Sequence, residues 1–183
     1  MKTVENAGDA LAILFGAKTA QQLTQGFTDV GAIFEAQHKS TRLAVRALAH
    51  AMTERPLKSR DAMTSWQAVI TYLRTRLVHL PREQLRVLYL DRKNRLIADE
   101  TANGTVDHCP VYPREIARRA LELNACAIIL SHNHPSGDPT PSTGDIEITR
   151  QVVQALKTLD IVVHDHIVVG AESTTSFRQL GLM

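Results

Sequence analysis

Two imidazoles, a hydroxyl and a carboxylate stand close together in one stretch of this chain: His132 and His134 flank Asn133, and Ser142 and Asp145 follow after a short interval. Two histidines and an aspartate are ligand types that a catalytic zinc takes from protein, leaving a fourth coordination position for water. H-x-H, seven residues, then S-x-x-D is a compound pattern, and so more specific than either half alone. The chemistry it suggests is hydrolysis by metal-activated water.

The flanks indicate what must position these groups. Ala127-Ile128-Ile129-Leu130 is a short, branched, apolar run and predicts a buried strand. Side chains alternate along a strand, so His132 and His134 point the same way if the extended path reaches them. Asn133 to Pro141 contains Pro135, Pro139, Pro141 and Gly137, and predicts a loop stiffened by fixed φ angles. From Ser142 onward, Ile146, Ile148, Val152, Val153, Leu156 and Leu159 recur at helical spacing, which makes Ser142 an N-cap and puts Asp145 in the first turn. Ser142-x-x-Asp145 is therefore also a capping box, which accounts for both residues without a metal. The two readings are compatible, because a helix N-terminus can hold a cap and a ligand together.

The pattern filled by His132, His134, Ser142 and Asp145 resembles the JAMM motif of the MPN/JAB metallopeptidases. The run from His132 to Gly137, Pro113-Arg114-Glu115-Ile116, the run from Leu90 to Ile97, Asp165 to Gly170, and Ser176-Phe177 are similar to the bacterial RadC family. The likeness covers residues 65–183. It implies an α/β fold, a mixed β-sheet flanked by helices with JAB/MPN-like, cytidine-deaminase-like layering, preceded by a small N-terminal helical region. It also implies a zinc ion on His132, His134 and Asp145, and a glutamate at the entrance of a core strand. Glu83, just before Leu85-Arg86-Val87-Leu88-Tyr89-Leu90, matches that glutamate; the rival is Glu115, where an acid in a helical first turn simply complements the dipole.

With that ligand set, zinc would lower the pKa of bound water towards neutrality. Glu83 would act as general base. Ser142, if capping leaves its hydroxyl free, would donate to the oxyanion. The expected reaction is cleavage of a peptide or isopeptide amide in a protein or peptide substrate.

Other candidates carry less. His164-Asp165-His166 is a second H-x-H among branched residues, and predicts core service or support behind the metal ligands rather than direct ligation. His108 and Cys109 have no partner at metal spacing and predict a loop. Cys109 and Cys126 form no C-x-x-C and read as reduced packing residues.

The chain has 183 residues, enough for one substantial core with an appendage; 44% hydrophobic and 22% charged residues suit a globular protein. No stretch approaches a membrane span, and the first residues lack the apolar core of a signal peptide. Two cysteines without a framework suit a reducing compartment, so the expected location is the cytoplasm.

Residues 1–60 predict a helical region: Ala10 to Phe15 before Gly16, and a second helix presenting Leu43, Val45, Leu48 and Met52. Pro56 to Asp61 reads as a linker and Ser65 as the cap of a helix reaching Leu80. Alternating strands and helices then predict the α/β domain of residues 65–183.

The charges supply a competing function. Residues 1–60 carry eight Lys/Arg against five acids, including Lys39, Arg42, Arg46, Arg55, Lys58 and Arg60. Such a segment can bind DNA phosphates, and fuller RadC proteins place a helix-hairpin-helix module here. No Gly-x-Gly hairpin follows the early helices, so the region reads as a degenerate remnant and its charges as a solvated face. A third possibility, an inert interaction scaffold, is disfavoured because all four motif residues are retained.

Overall fold

The computed structural model describes residues 46–50, 52–54, 57, 66–103 and 112–183. The readings made for Ala10–Phe15, Leu43, Val45, Lys39, Arg42, Arg55, Lys58, Arg60, Ser65, His108 and Cys109 lie outside these residues. The chain divides into two compact units, Met1–Ala51 and Met52–Met183. In the first, residues 46–50 are helical. In the second, Leu57, expected in a linker, is helical and buried in the core.

The larger unit runs α1 (Trp66–Leu77), β1 (Gln84–Leu90), β2 (Leu96–Asn103), α2 (Pro113–Glu122), β3 (Ala127–Asn133), α3 (Thr143–Lys157), β4 (Val162–Val169) and β5 (Thr174–Ser176). The sheet order is β2-β1-β3-β4-β5. β1 pairs antiparallel with β2 and β3, β3 pairs parallel with β4, and β4 pairs antiparallel with β5. This is the mixed, helix-flanked α/β sheet that the sequence predicts.

Two apolar layers explain the sandwich. Leu88, Leu90, Ala127, Ile129, Ile167 and Val169 face α1, where Val69, Tyr72, Leu73 and Leu77 close over them. The alternate residues Leu85, Val87, Tyr89, Ile128 and Leu130 face α2 and α3 through Ile116, Ala120, Val152 and Leu156. β3 is buried along its whole length, which is why its sequence runs apolar rather than alternating. His132 continues the second face of β3, so it emerges beside the start of α3.

β4 departs from simple alternation. Ile128 pairs with Val163 and Ile129 with Asp165, so His164 is left over as a bulge. Its ring contacts Asn94 Oδ1 in the β1–β2 connection at 2.7 Å. His164 is thereby turned from the core, whereas His166 returns to the face of Leu130 and is buried.

Candidate metal centre

β3 supplies His132 at its penultimate position, and His134 lies one residue beyond the strand. The extended path holds long enough for both rings to share a face, with centroids 4.7 Å apart. The proline-rich loop is tied down at several points. His134 N donates to Val169 O, Gly137 N to His134 O and Ala171 N to Gly137 O. Gly137 has φ +89°, in the left-handed region that glycine tolerates. At Gly170 the loop lies so close that a Cβ would sit 2.4 Å from Gly137 O.

Asp145 arrives from the other side. Ser142 caps α3, its Oγ accepting from Asp145 N at 3.1 Å while its own N–H donates to Asp145 Oδ2 at 2.8 Å. The Ser142 hydroxyl donates to the same Oδ2 at 2.7 Å, so its proton is engaged at the carboxylate. The capping box is real, and it leaves Asp145 aimed at the imidazoles. His132 Nε2 is 2.9 Å from His134 Nε2 and 3.4 Å from Asp145 Oδ1, and His134 Nε2 is 3.5 Å from Asp145 Oδ2. His132 is buried, while the His134 and Asp145 side chains are 15% and 16% exposed, so the cluster opens to solvent on one side.

These residues fit a metal ion on two grounds. Zn–N and Zn–O bonds of about 2.0–2.2 Å in tetrahedral array imply ligand–ligand separations of roughly 3.3–3.6 Å. Two of the three separations already have that size, and the imidazole pair must open by about half an ångström. The second ground is donor bookkeeping. His134 Nδ1 lies 2.8 Å from Asp138 O, which can only accept, so Nδ1 carries a proton and a neutral ring has a bare Nε2. That lone pair, the Asp145 carboxylate and the His132 ring then converge on one point, an arrangement that a cation relieves.

The electrostatics agree. Burial alone would raise the Asp145 carboxyl, but the His132 and His134 rings, which donate to it whenever they are protonated, the charge that His132 then carries and the Ser142 hydroxyl outweigh it and hold it far below the carboxylate range. The hydrogen bond to Asp145 raises the pKa of His134 against the opposing effect of its burial. Burial pushes His166 well below the usual imidazole range, so it is neutral.

Glu83 is half-buried at the entrance to β1. The register of β1 with β3 ends at Leu85 and His132, and Glu83, two residues before Leu85, helps through its charge to raise the pKa of His134. Glu115 instead sits in the first turn of α2, 3.1 Å from Arg118 and 3.5 Å from Arg114.

Sequence reasoning missed Asn133. Its side chain points to the opposite face, where Nδ2 donates to Arg82 O (3.1 Å) and Leu80 O (3.4 Å) and Oδ1 accepts from Gln84 N (3.0 Å). One buried amide thus clamps the segment that carries Glu83. The two metal-type histidines drew the reading, although an asparagine between them at a strand end was itself a signal of backbone capture. Between β1 and α2 lies a cavity of about 490 Å³, lined by Leu85, Val87, Tyr89, Glu100, Glu115 and Arg119.

A mixed sheet with H-x-H at the end of a central strand and S-x-x-D opening the next helix defines an α/β protein of JAB type with a candidate metal site. Residues 63–182 match the family profile described as a RadC-like JAB domain, and the chain belongs to that family. It is similar to a UPF0758 protein of Rhodobacter capsulatus, 51% identical over 157 residues that make up 85% of this chain and 73% of that relative. A UPF0758 protein of Ruegeria pomeroyi is 52% identical over 140 residues, 76% of this chain and 62% of that relative, so the match spans less than two thirds of its length. Among the described residues, no helix is long and apolar enough to cross a membrane.

Proposed function

We propose that this chain is a zinc-dependent hydrolase of the JAMM metallopeptidase type, cleaving an amide bond, peptide or isopeptide, in a protein or peptide substrate. The observation that carries the reading is the convergence of His132 Nε2, His134 Nε2 and the Asp145 carboxylate at separations close to those of zinc ligands. These three residues would hold the ion, which when bound would supply a water of lowered pKa and a positive charge for the substrate carbonyl.

The chain's own groups would do the rest. Glu83, whose charge acts on His134, would take a proton from the attacking water and return it to the leaving nitrogen. Its rival Glu115 is engaged with Arg114 and Arg118 on α2, which favours Glu83. Ser142 Oγ would turn its proton from Asp145 Oδ2 to the developing oxyanion. The cavity beside Leu85 would receive substrate flanking the cleaved bond. A cytoplasmic setting suits the free thiol of Cys126.

Metal analysis of the purified protein tests the reading first, with one zinc per chain expected. Glu83→Gln should keep the zinc and lose hydrolysis of a peptide library, whereas Asp145→Ala should lose both. A protein that takes up no zinc, or a Glu83→Gln variant that hydrolyses at the parent rate, would overturn it.

A further inference from the structure

A line of hydrogen bonds runs from the backbone of α3 to the first metal-type histidine. Thr149 Oγ1 lies 2.5 Å from Asp145 O and 2.6 Å from His166 Nδ1. His166 Nε2 lies 2.8 Å from His132 Nδ1. All three side chains are buried, and Phe177 stacks on the His166 ring at 4.6 Å between centroids.

The direction of each bond follows from counting protons. A threonine hydroxyl has one proton, and the Asp145 carbonyl can only accept, so that proton goes to the carbonyl. Thr149 Oγ1 must then accept from His166, which puts the His166 proton on Nδ1. A neutral ring with Nδ1–H has a bare Nε2. His132 must therefore donate to it from Nδ1, and its own Nε2 is left as a lone pair directed at His134 and Asp145. With the opposite tautomer, His132 would present an N–H to the cluster and could bind no cation there.

We propose that Thr149 and His166 are positioning residues that fix the tautomer of His132, keeping its Nε2 bare for a metal ion. The proposal rests on the metal-site reading above and extends it to two residues that touch neither metal nor substrate. A histidine that ligates a metal ordinarily has its second nitrogen held by a carboxylate, carbonyl or water. Here a second, sealed imidazole takes that place, and it is itself ordered by a helix carbonyl through a hydroxyl.

The test uses the full chain with zinc as the probe. Chelator competition gives zinc affinity for the parent, His166→Phe, His166→Gln and Thr149→Val, with thermal melting of each metal-free protein as a check on folding. Phenylalanine keeps the ring and its stacking on Phe177 but removes the acceptor, and zinc affinity should fall ten- to a hundredfold. Glutamine restores an acceptor oxygen and should recover part of the loss. Thr149→Val removes the ordering hydroxyl and should weaken binding by a smaller factor. Nitrogen-15 NMR of the parent should find the His166 proton on Nδ1, and on a mixture of both nitrogens in Thr149→Val.

A folded His166→Phe variant that binds zinc as tightly as the parent would overturn the inference while leaving the metal site standing. So would a parent with its His166 proton on Nε2. A parent that binds no zinc would sink the metal reading itself, and the tautomer role with it.

Discussion

Asp145→Asn separates the observed capping duty of one carboxylate from its proposed duty at a metal. In the metal-free protein Asp145 completes the capping box by accepting from Ser142 N and Ser142 Oγ. Asparagine keeps an acceptor for that N–H, so the loss is mainly that of an anion at a helix N-terminus, about 0.3–1 kcal/mol. For a chain of 183 residues each kcal/mol moves the melting temperature by roughly 2–4 °C, so a fall of at most about 4 °C is expected in chelator. The effect on zinc is much larger. Structural sites with four protein ligands bind with about 10–16 kcal/mol, or roughly 2.5–4 kcal/mol per ligand, which is about 10²–10³ in affinity. The assay is chelator competition beside thermal melts. At a hundred times the parent's Kd, zinc should add about 2.7 kcal/mol to the parent, a rise of roughly 5–10 °C, and little to the variant. An Asp145→Asn protein whose zinc affinity fell by less than tenfold would show that the carboxylate serves the cap alone.

Two further outcomes follow from the same geometry. Zinc must displace the proton that His134 gains through its raised pKa, so affinity should climb with pH up to and through that value, above about 6.5, with net proton release measured by calorimetry in buffers of different ionisation enthalpy. In the metal-free protein the raised His134 stabilises below its unfolded value of about 6.5 and loses that contribution as pH rises through the folded pKa; the depressed Asp145 stabilises above about 3.9 and loses it as pH falls. The contribution of this pair should therefore be greatest between about pH 4 and 6.5, as read by melting in chelator across pH. Asn133→Ala should strand three backbone groups around Glu83 and cost about 1–3 kcal/mol, while zinc affinity stays within a few-fold of the parent; a large loss of zinc would mean that Asn133 acts on the ligands instead.

The parts legible in the sequence were those set by local pattern. The apolar run before His132, the proline loop and the period of α3 set where His132, His134 and Asp145 stand, because strand alternation and helix capping are decided by near neighbours. Glu83 was harder, since its electrostatic effect on His134 depends on the pairing of β1 with β3, forty-odd residues apart in the chain. The second H-x-H shows the limit. His164 and His166 share one residue spacing and one apolar setting, yet a single bulge opposite Ile128 and Ile129 sends one ring to Asn94 and the other to His132. Bulges arise from pairing across strands and leave little local trace. β5 was missed for a related reason: three residues, Thr174–Ser176, are too few to carry a period. Asp165 accounts for that segment, accepting from Ser176 Oγ and Arg178 N and so seating Phe177 against His166.

The observed capping box and the proposed metal ligation of Ser142-x-x-Asp145 are compatible in one carboxylate. A carboxylate has two oxygens: Oδ2 is occupied by Ser142, while Oδ1 is directed at His132 Nε2. The cap fixes the rotamer that a ligand needs, and the positive end of α3 favours the ionised form that a metal needs. Thr149 lies one helical turn further on the same face of α3, and there its hydroxyl meets His166 Nδ1 at 2.6 Å. On the proposed reading, one turn of helix would present the third ligand directly and order the first through two side chains. A substitution that unwinds the start of α3 should consequently weaken zinc binding more than removal of the Ser142 hydroxyl alone, because it disturbs Asp145 and His132 together.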